Sequence, residues 1–185
     1  HLENRYDDDH VSSACGLFGV IDTSGTLHDG TAAIEALTSM DERGNGLGAG
    51  YAVYGCYPEF SHAYALHVMC RSELDRQEMQ AYLGQDLIIE HDEPVPHRDM
   101  PGIKDAPIVW RFFCRPRQLE DMGDEADESV VRHVMYANTH LSGAYVYSSG
   151  RNLGVFKGVG SPEQIADYFR VADYPAWWFW LSIPV

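Results

Sequence analysis

The sequence predicts an α+β domain. Three observations carry this: short apolar runs with period-two alternation, helical stretches marked by caps and by three–four spacing, and a middle third that alternates strand, helix, strand, strand, helix, strand. At 185 residues with 45% hydrophobic and 22% charged residues, the chain fits one domain, or one domain with an elaborate insertion, and can bury a sizeable core.

The first strand is Cys15-Gly16-Leu17-Phe18-Gly19-Val20-Ile21-Asp22, closed by a turn at Thr23-Ser24-Gly25. Thr31 to Glu42 reads as a helix with Ala33, Ile34, Leu37 and Met40 on its buried stripe, stopped by Arg43-Gly44-Asn45-Gly46. Gly48 to Gly55 is a second strand with small residues at its start. Tyr64, Leu66, Val68 and Cys70 alternate as a third strand. Ser72-Glu73-Leu74-Asp75 opens a helix with a capping box, and Met79, Tyr82 and Leu83 form its apolar face. Leu87-Ile88-Ile89 is a short strand, and Glu93 to Asp105, with three prolines, a loop or hairpin connection. Ile108 to Cys114 is strongly β-like, with Val109 and Phe113 on one side and Trp110, Phe112 and Cys114 on the other. The acidic run Glu120 to Glu128 leads into a helix carrying Val130, Val131, Val134 and Met135, its negative charge at the favourable amino-terminal end. Ala144 to Tyr147 and Leu153 to Phe156 flank Ser148 to Asn152 as a hairpin. Ser161-Pro162-Glu163-Gln164 starts a helix reaching about Arg170, and Trp177 to Leu181 is a final apolar strand. Phe60 to His140 thus forms a small βαββαβ insertion of ferredoxin-like character.

Charge and cysteines narrow the function. Thirteen basic against 28 acidic residues give a net charge of -15, which argues against nucleic acid and anionic membrane surfaces as partners. No apolar run is long enough to span a bilayer. The segment before Cys15 is polar and lacks a signal-peptide core, so a cytoplasmic location is expected. Cys15, Cys56, Cys70 and Cys114 show no CxxC spacing, so no metal site is expected from this chain. Cys56, Cys70 and Cys114 lie in apolar surroundings and read as small buried hydrophobes. His91, Asp92, Glu93, His97 and Asp99 read as a solvated loop, and His67, His133 and His140 as ordinary core or surface histidines.

Cys15 stands apart because glycine follows it on a short apolar strand. Cys15 to Asp22, Met40-Asp41-Glu42-Arg43-Gly44, Gly46 to Gly55 and Gly150 to Gly160 together resemble the class II glutamine amidotransferase domain. The closer likeness is to its glutamate-synthase-like branch, which includes archaeal-type glutamate synthase and the amidotransferase-like subunit of methylamine–glutamate N-methyltransferase. The resemblance implies a layered αββα sandwich of the N-terminal-nucleophile hydrolases, here truncated, and release of ammonia from glutamine for a synthase or methyltransferase partner in a hetero-oligomer. Cys15 would be the catalytic nucleophile, with Gly16, Arg43 and Gly44 beside the glutamine. No cofactor is implied in this chain; FMN or an iron-sulfur cluster would belong to partner subunits.

In such sites the thiol attacks a carboxamide carbon while the free α-amine of the same cysteine, with a pKa of about 7.7–8.0, accepts and returns the proton. Two features depart from the family pattern. His1 to Ala14 precede Cys15 and read as a leader or propeptide whose removal would free that amine. The family's His-Thr-Arg motif, which follows the aromatic strand, is not among these residues, so the chain is expected to be one part of a longer or split domain, or not a competent glutaminase. The alternative reading is a catalytically silent structural or regulatory subunit of a glutamate synthase or N-methyltransferase complex.

Overall fold

Two four-stranded antiparallel sheets organise the chain, each with two helices packed on it. The computed structural model describes residues 15–41, 48–100, 103, 105–118 and 123–184. The first sheet has the order β1-β8-β2-β7, from Cys15–Ile21, Trp178–Pro184, Ala49–Tyr54 and Leu153–Gly158. The second has the order β4-β5-β3-β6, from Leu87–Pro94, Ile108–Pro116, Tyr64–Cys70 and Ala144–Arg151. Helices α1 (Thr31–Thr38) and α4 (Pro162–Tyr168) contact the first sheet, and α2 (Glu73–Asp86) and α3 (Asp124–His140) contact the second. The α+β class is therefore observed. No described helix is long and apolar enough to cross a membrane.

Chain order explains how the sheets are nested. β2 and β7 are hydrogen-bonded neighbours, yet the whole β3-α2-β4-β5-α3-β6 unit lies between them in sequence. The second sheet is thus an insertion into the first. Its last strand runs to Arg151, past the expected boundary at His140. The expected hairpin of Ala144–Tyr147 with Leu153–Phe156 does not form. β6 pairs with β3 and β7 with β2, so the turn between them changes sheets. Asn152 makes the change with φ +50, the left-handed region that asparagine tolerates.

Alternation sorts the second sheet's residues between two cores. Tyr64, Leu66, Val68, Cys70, Phe112 and Cys114 join Met79 and Leu83 of α2 and Val130 of α3 in one cluster. Ala65, Val109 and Phe113, one residue out of phase, join the other, with Tyr51, Val53 and Phe156 of the first sheet and Leu37 and Ile165 of its helices. Burial of Cys56, Cys70 and Cys114 agrees with their reading as hydrophobes, and burial pushes the Cys70 thiol up to about 11.

Several boundaries differ from expectation. The box at Ser72 is partial: Asp75 donates its N–H to Ser72 Oγ, but its carboxylate accepts from that same hydroxyl rather than from the Ser72 backbone. Ser161 and Gln164 form the full reciprocal box. α1 is shorter than expected, ending at Thr38 with Ser39 as its cap. β4 extends to Pro94 because Arg111 and Trp110 of β5 continue the ladder opposite Glu93 and Pro94, so His91, Asp92 and Glu93 are strand residues, not loop. α4 stops at Tyr168, two residues before Arg170 turns left-handed at φ +55. The last strand is Trp178–Pro184 rather than Trp177 to Leu181. Val131 and Met135 of α3 are 49% and 64% exposed.

Candidate functional site

The register of the first sheet brings its small residues to one end. Cys15 opens β1 opposite Pro184, and Gly16 stands opposite Ile183. Two strands across, Gly50 faces Ser182 of β8, and Ala49 faces Gly158 of β7. Gly48 has φ +151, and a Cβ there would meet the Gly158 carbonyl oxygen at 2.5 Å. Only glycine permits that backbone approach. At this end lies a cavity of about 710 Å³ whose wall includes Gly48, Gly50, Gly158 and Ser182 from the first sheet and Met69 and Val109 from the second. Lys157 and Asp105 also reach its wall, which is otherwise mostly apolar.

Of the sequence-derived candidates, Cys15 and Gly16 therefore belong to the sheet end that carries this cavity, separated from β2 by two strand spacings of about 4.8 Å each. Arg43 and Gly44 lie outside the described residues; in sequence they stand five and four positions before the cavity-lining Gly48. Among the described residues no group of three or more His, Cys, Asp or Glu is placed to hold a metal ion.

A second polar constellation, absent from the sequence reading, sits between the sheets one register row inward from the cavity wall. Met69 pairs with Val109, and the next row in the same direction of the pleat pairs His67 with Arg111. Arg111 donates from Nε and Nη2 to Glu93 Oε1 at 2.9 and 2.5 Å. Its Nη1 donates to the hydroxyls of Tyr57 and Tyr174, both at 3.3 Å. Its guanidinium carbon also lies 4.9 Å from the Tyr57 ring centroid, a cation–π arrangement.

His67 is fully buried, and its Nε2 lies 2.9 Å from the Tyr57 hydroxyl. Burial first, and the nearby Arg111 charge second, lower its pKa to about 3. The ring is therefore neutral at ordinary pH. Tyr57 Oη accepts from Arg111 and shares a second hydrogen bond with Nε2, whose direction follows the ring tautomer. His67 Nδ1 and the Tyr147 hydroxyl, whose ring lies 5.8 Å from His67, have no hydrogen-bond partner among the described residues. A buried arginine within the apolar run Ile108 to Cys114 was the one sequence signal for this cluster, because an unpaired guanidinium there would be prohibitive.

Asn152 ties the cluster's surroundings together. Its side-chain oxygen accepts from Tyr57 N at 2.7 Å, and its backbone oxygen accepts from Gly55 N at 2.8 Å. Gly55 is required: at φ +92, a Cβ would lie 2.5 Å from Trp177 Cδ1.

No family model matches the chain. The chain is 43% identical over 179 residues to an uncharacterized protein of Archaeoglobus fulgidus. That match takes in 95% of this chain but 47% of the relative, so the chain spans about half the length of the curated protein it matches.

Proposed function

We propose that the chain is a class II glutamine amidotransferase-like domain in which Cys15, once it is the amino terminus, releases ammonia from glutamine for a glutamate-synthase-like or methyltransferase partner. The observation that carries this reading is that β1 starts with Cys15 at the same end of the first sheet as the cavity that Gly48, Gly50 and Gly158 help to line, although Cys15 and Gly16 are not themselves in its wall. The layered arrangement of helices on sheets fits an N-terminal-nucleophile αββα sandwich. The inserted unit, with strands ordered β4-β5-β3-β6, fits a ferredoxin-like insertion.

In the proposed reaction the Cys15 thiolate attacks the side-chain carboxamide carbon of glutamine. The C–N bond breaks, and ammonia leaves with the proton returned by the Cys15 α-amine. Water then cleaves the thioester, giving glutamate and the free thiol. An amide nitrogen cannot serve as that base, so a peptide bond from Ala14 to Cys15 blocks the chemistry. Gly16 leaves room for the substrate beside the strand start, and Arg43 and Gly44 are proposed to face it. Any flavin or iron-sulfur group would lie in the partner, and the cytoplasm is the proposed location.

A form beginning at Cys15, prepared beside the uncut chain and a Cys15→Ala form, tests this. Treated with a diazo-ketone glutamine analogue, only the cut form is expected to gain the adduct mass, on Cys15, as read by intact mass and peptide mapping. Equal glutamine consumption by the uncut chain or by Cys15→Ala would sink the reading. The silent-subunit alternative is favoured by one observation, the exposed apolar Leu17 and Ile21 of β1, and predicts an unreactive Cys15 in every form.

A further inference from the structure

The helices of the second sheet carry a slot on their solvent side. In α2, Glu78, Tyr82 and Asp86 recur at four-residue spacing and stand in one row along the helix. In α3, His133, Tyr136 and His140 recur at spacings of three and four and form a row of their own. The fully inward positions lie elsewhere: Met79 and Leu83 of α2 and Val130 and Ala137 of α3 join the core under the helices. Between the two rows is a hollow of about 580 Å³ whose wall includes Glu78, Tyr82, Asp86, Tyr136 and His140.

The aromatic part of this wall is a stack of near-parallel rings. Tyr82 and Tyr136 lie 5.4 Å apart at 12°, and Tyr136 and His140 lie 3.8 Å apart at 7°. Tyr82 is anchored, its hydroxyl donating to the His133 carbonyl at 3.3 Å, whereas Tyr136 is 50% exposed. The charged part of the wall is acidic. Asp86 Oδ2 lies 3.3 Å from His133 Nε2, and Glu78 makes no ion pair among the described residues. No lysine or arginine among the described residues lines the hollow. The nearby arginines are engaged elsewhere. Arg76 pairs with Glu73 and lies over the Trp110 ring, Arg117 donates to the carbonyls of Gly84 and Leu87, and Arg132 lines a neighbouring hollow with Glu125 and Glu128.

Stacked rings beside carboxylates that lack a basic partner match one ligand chemistry, a flat cation. A guanidinium is planar, stays charged, stacks on aromatic faces and presents a fork of donors to a carboxylate. An ammonium supplies the charge without the plane. A second copy of this chain fits poorly, because α3 also carries Asp124, Glu125, Asp127 and Glu128 and the net charge is -15. The apolar surface continues beyond the slot: Val131 and Met135, four apart on α3, are 49% and 64% exposed, and Met135 adjoins Tyr136. That extent exceeds what one guanidinium covers and suits a polypeptide. We propose that the slot between α2 and α3 docks an arginine side chain of a partner polypeptide, whose neighbouring apolar residue covers Met135 and Val131. The proposal is separate from the amidotransferase reading and does not involve Cys15.

The probes are a capped hexapeptide with one arginine between leucines, its lysine and citrulline versions, and free acetyl-arginine amide. Each is titrated into the full chain while the ring resonances of Tyr136 and His140 are followed by NMR. The arginine peptide is expected to shift both and to bind at least about tenfold more tightly than the citrulline peptide, with lysine between them. Tyr136→Leu and Glu78→Gln are each expected to weaken binding severalfold. Glu128→Gln, in the neighbouring hollow, is expected to leave it unchanged. Both slot substitutions fall at exposed positions, and Glu78→Gln decides alone if Tyr136→Leu fails to fold. Equal binding of the arginine and citrulline peptides overturns the proposal, as does unchanged binding by Glu78→Gln or an equal loss with Glu128→Gln. Acetyl-arginine amide binding as tightly as the peptide also overturns it, by assigning the slot to a small free cation. None of these readouts uses glutamine, so this proposal and the catalytic one fail independently.

Discussion

The two sheets are built from similar strands but finished differently. The second has helices α2 and α3 on one face and the shared core on the other, so both faces of β3 and β5 are dry. The first has helices on one face, while Leu17 and Ile21 on the other are 55% and 53% exposed. The second sheet is therefore packed on both faces, whereas the first keeps exposed apolar residues such as Leu17 and Ile21 among its described residues. The comparison teaches that hydrophobicity in β strands reports potential burial, and that nesting in the chain decides which strands achieve it.

Substitutions along this gradient should show it. In the sealed unit, Phe112→Ala should cost about 3–5 kcal/mol in denaturant unfolding, because Phe112 is fully buried between β5 and its helices. A cost below about 1 kcal/mol would mean the second sheet is loosely packed. At the seam between sheets, Arg111→Ala should cost about 2–3 kcal/mol by the same measurement. Arg111 is 8% exposed, but the Glu93 side chain is 35% exposed, so solvent compensates part of the loss expected for a fully buried pair.

The seam should also respond to acid through His67. Burial keeps the folded imidazole neutral down to about pH 3, whereas the unfolded chain binds a proton near 6.5. The unfolded state thus holds more protons between those values. This contribution is complete above about pH 6.5 and declines by about 1.4 kcal/mol per pH unit as pH falls toward 3. His67→Phe should have a shallower stability–pH slope in that window than the parent; identical slopes would mean that His67 charges freely in the fold. On the covered side of the first sheet, Ser161→Ala should cost about 1 kcal/mol through loss of the capping box. On its open face, Leu17→Ser should change stability by less than about 0.5 kcal/mol, and a large loss would show the face to be already covered.

What the sequence made legible follows the same division. The period-two pattern of β3 and β5 sorted Val109 and Phe113 from Phe112 and Cys114 correctly, because each face of the second sheet meets a core. The Ser161 box was readable because capping is local. The sheet change at Asn152 was not, since a tight turn between apolar runs looks alike whether the strands pair together or with others. Apolarity alone does not assign a helix face: Val131 and Met135 of α3 stand 49% and 64% exposed. The strand at Cys15 and Gly16 was legible, because their neighbours in sequence set it. Arg111, Tyr57, Glu93, Tyr174 and His67 come from distant segments, and only the three-dimensional register assembles them.

Asn152 has a mechanical consequence. One residue redirects the chain from β6 of one sheet to β7 of the other while its side chain and backbone accept from Tyr57 and Gly55 on the outgoing path from β2 to β3. Both crossings between the sheets are thereby hydrogen-bonded to each other at a single residue.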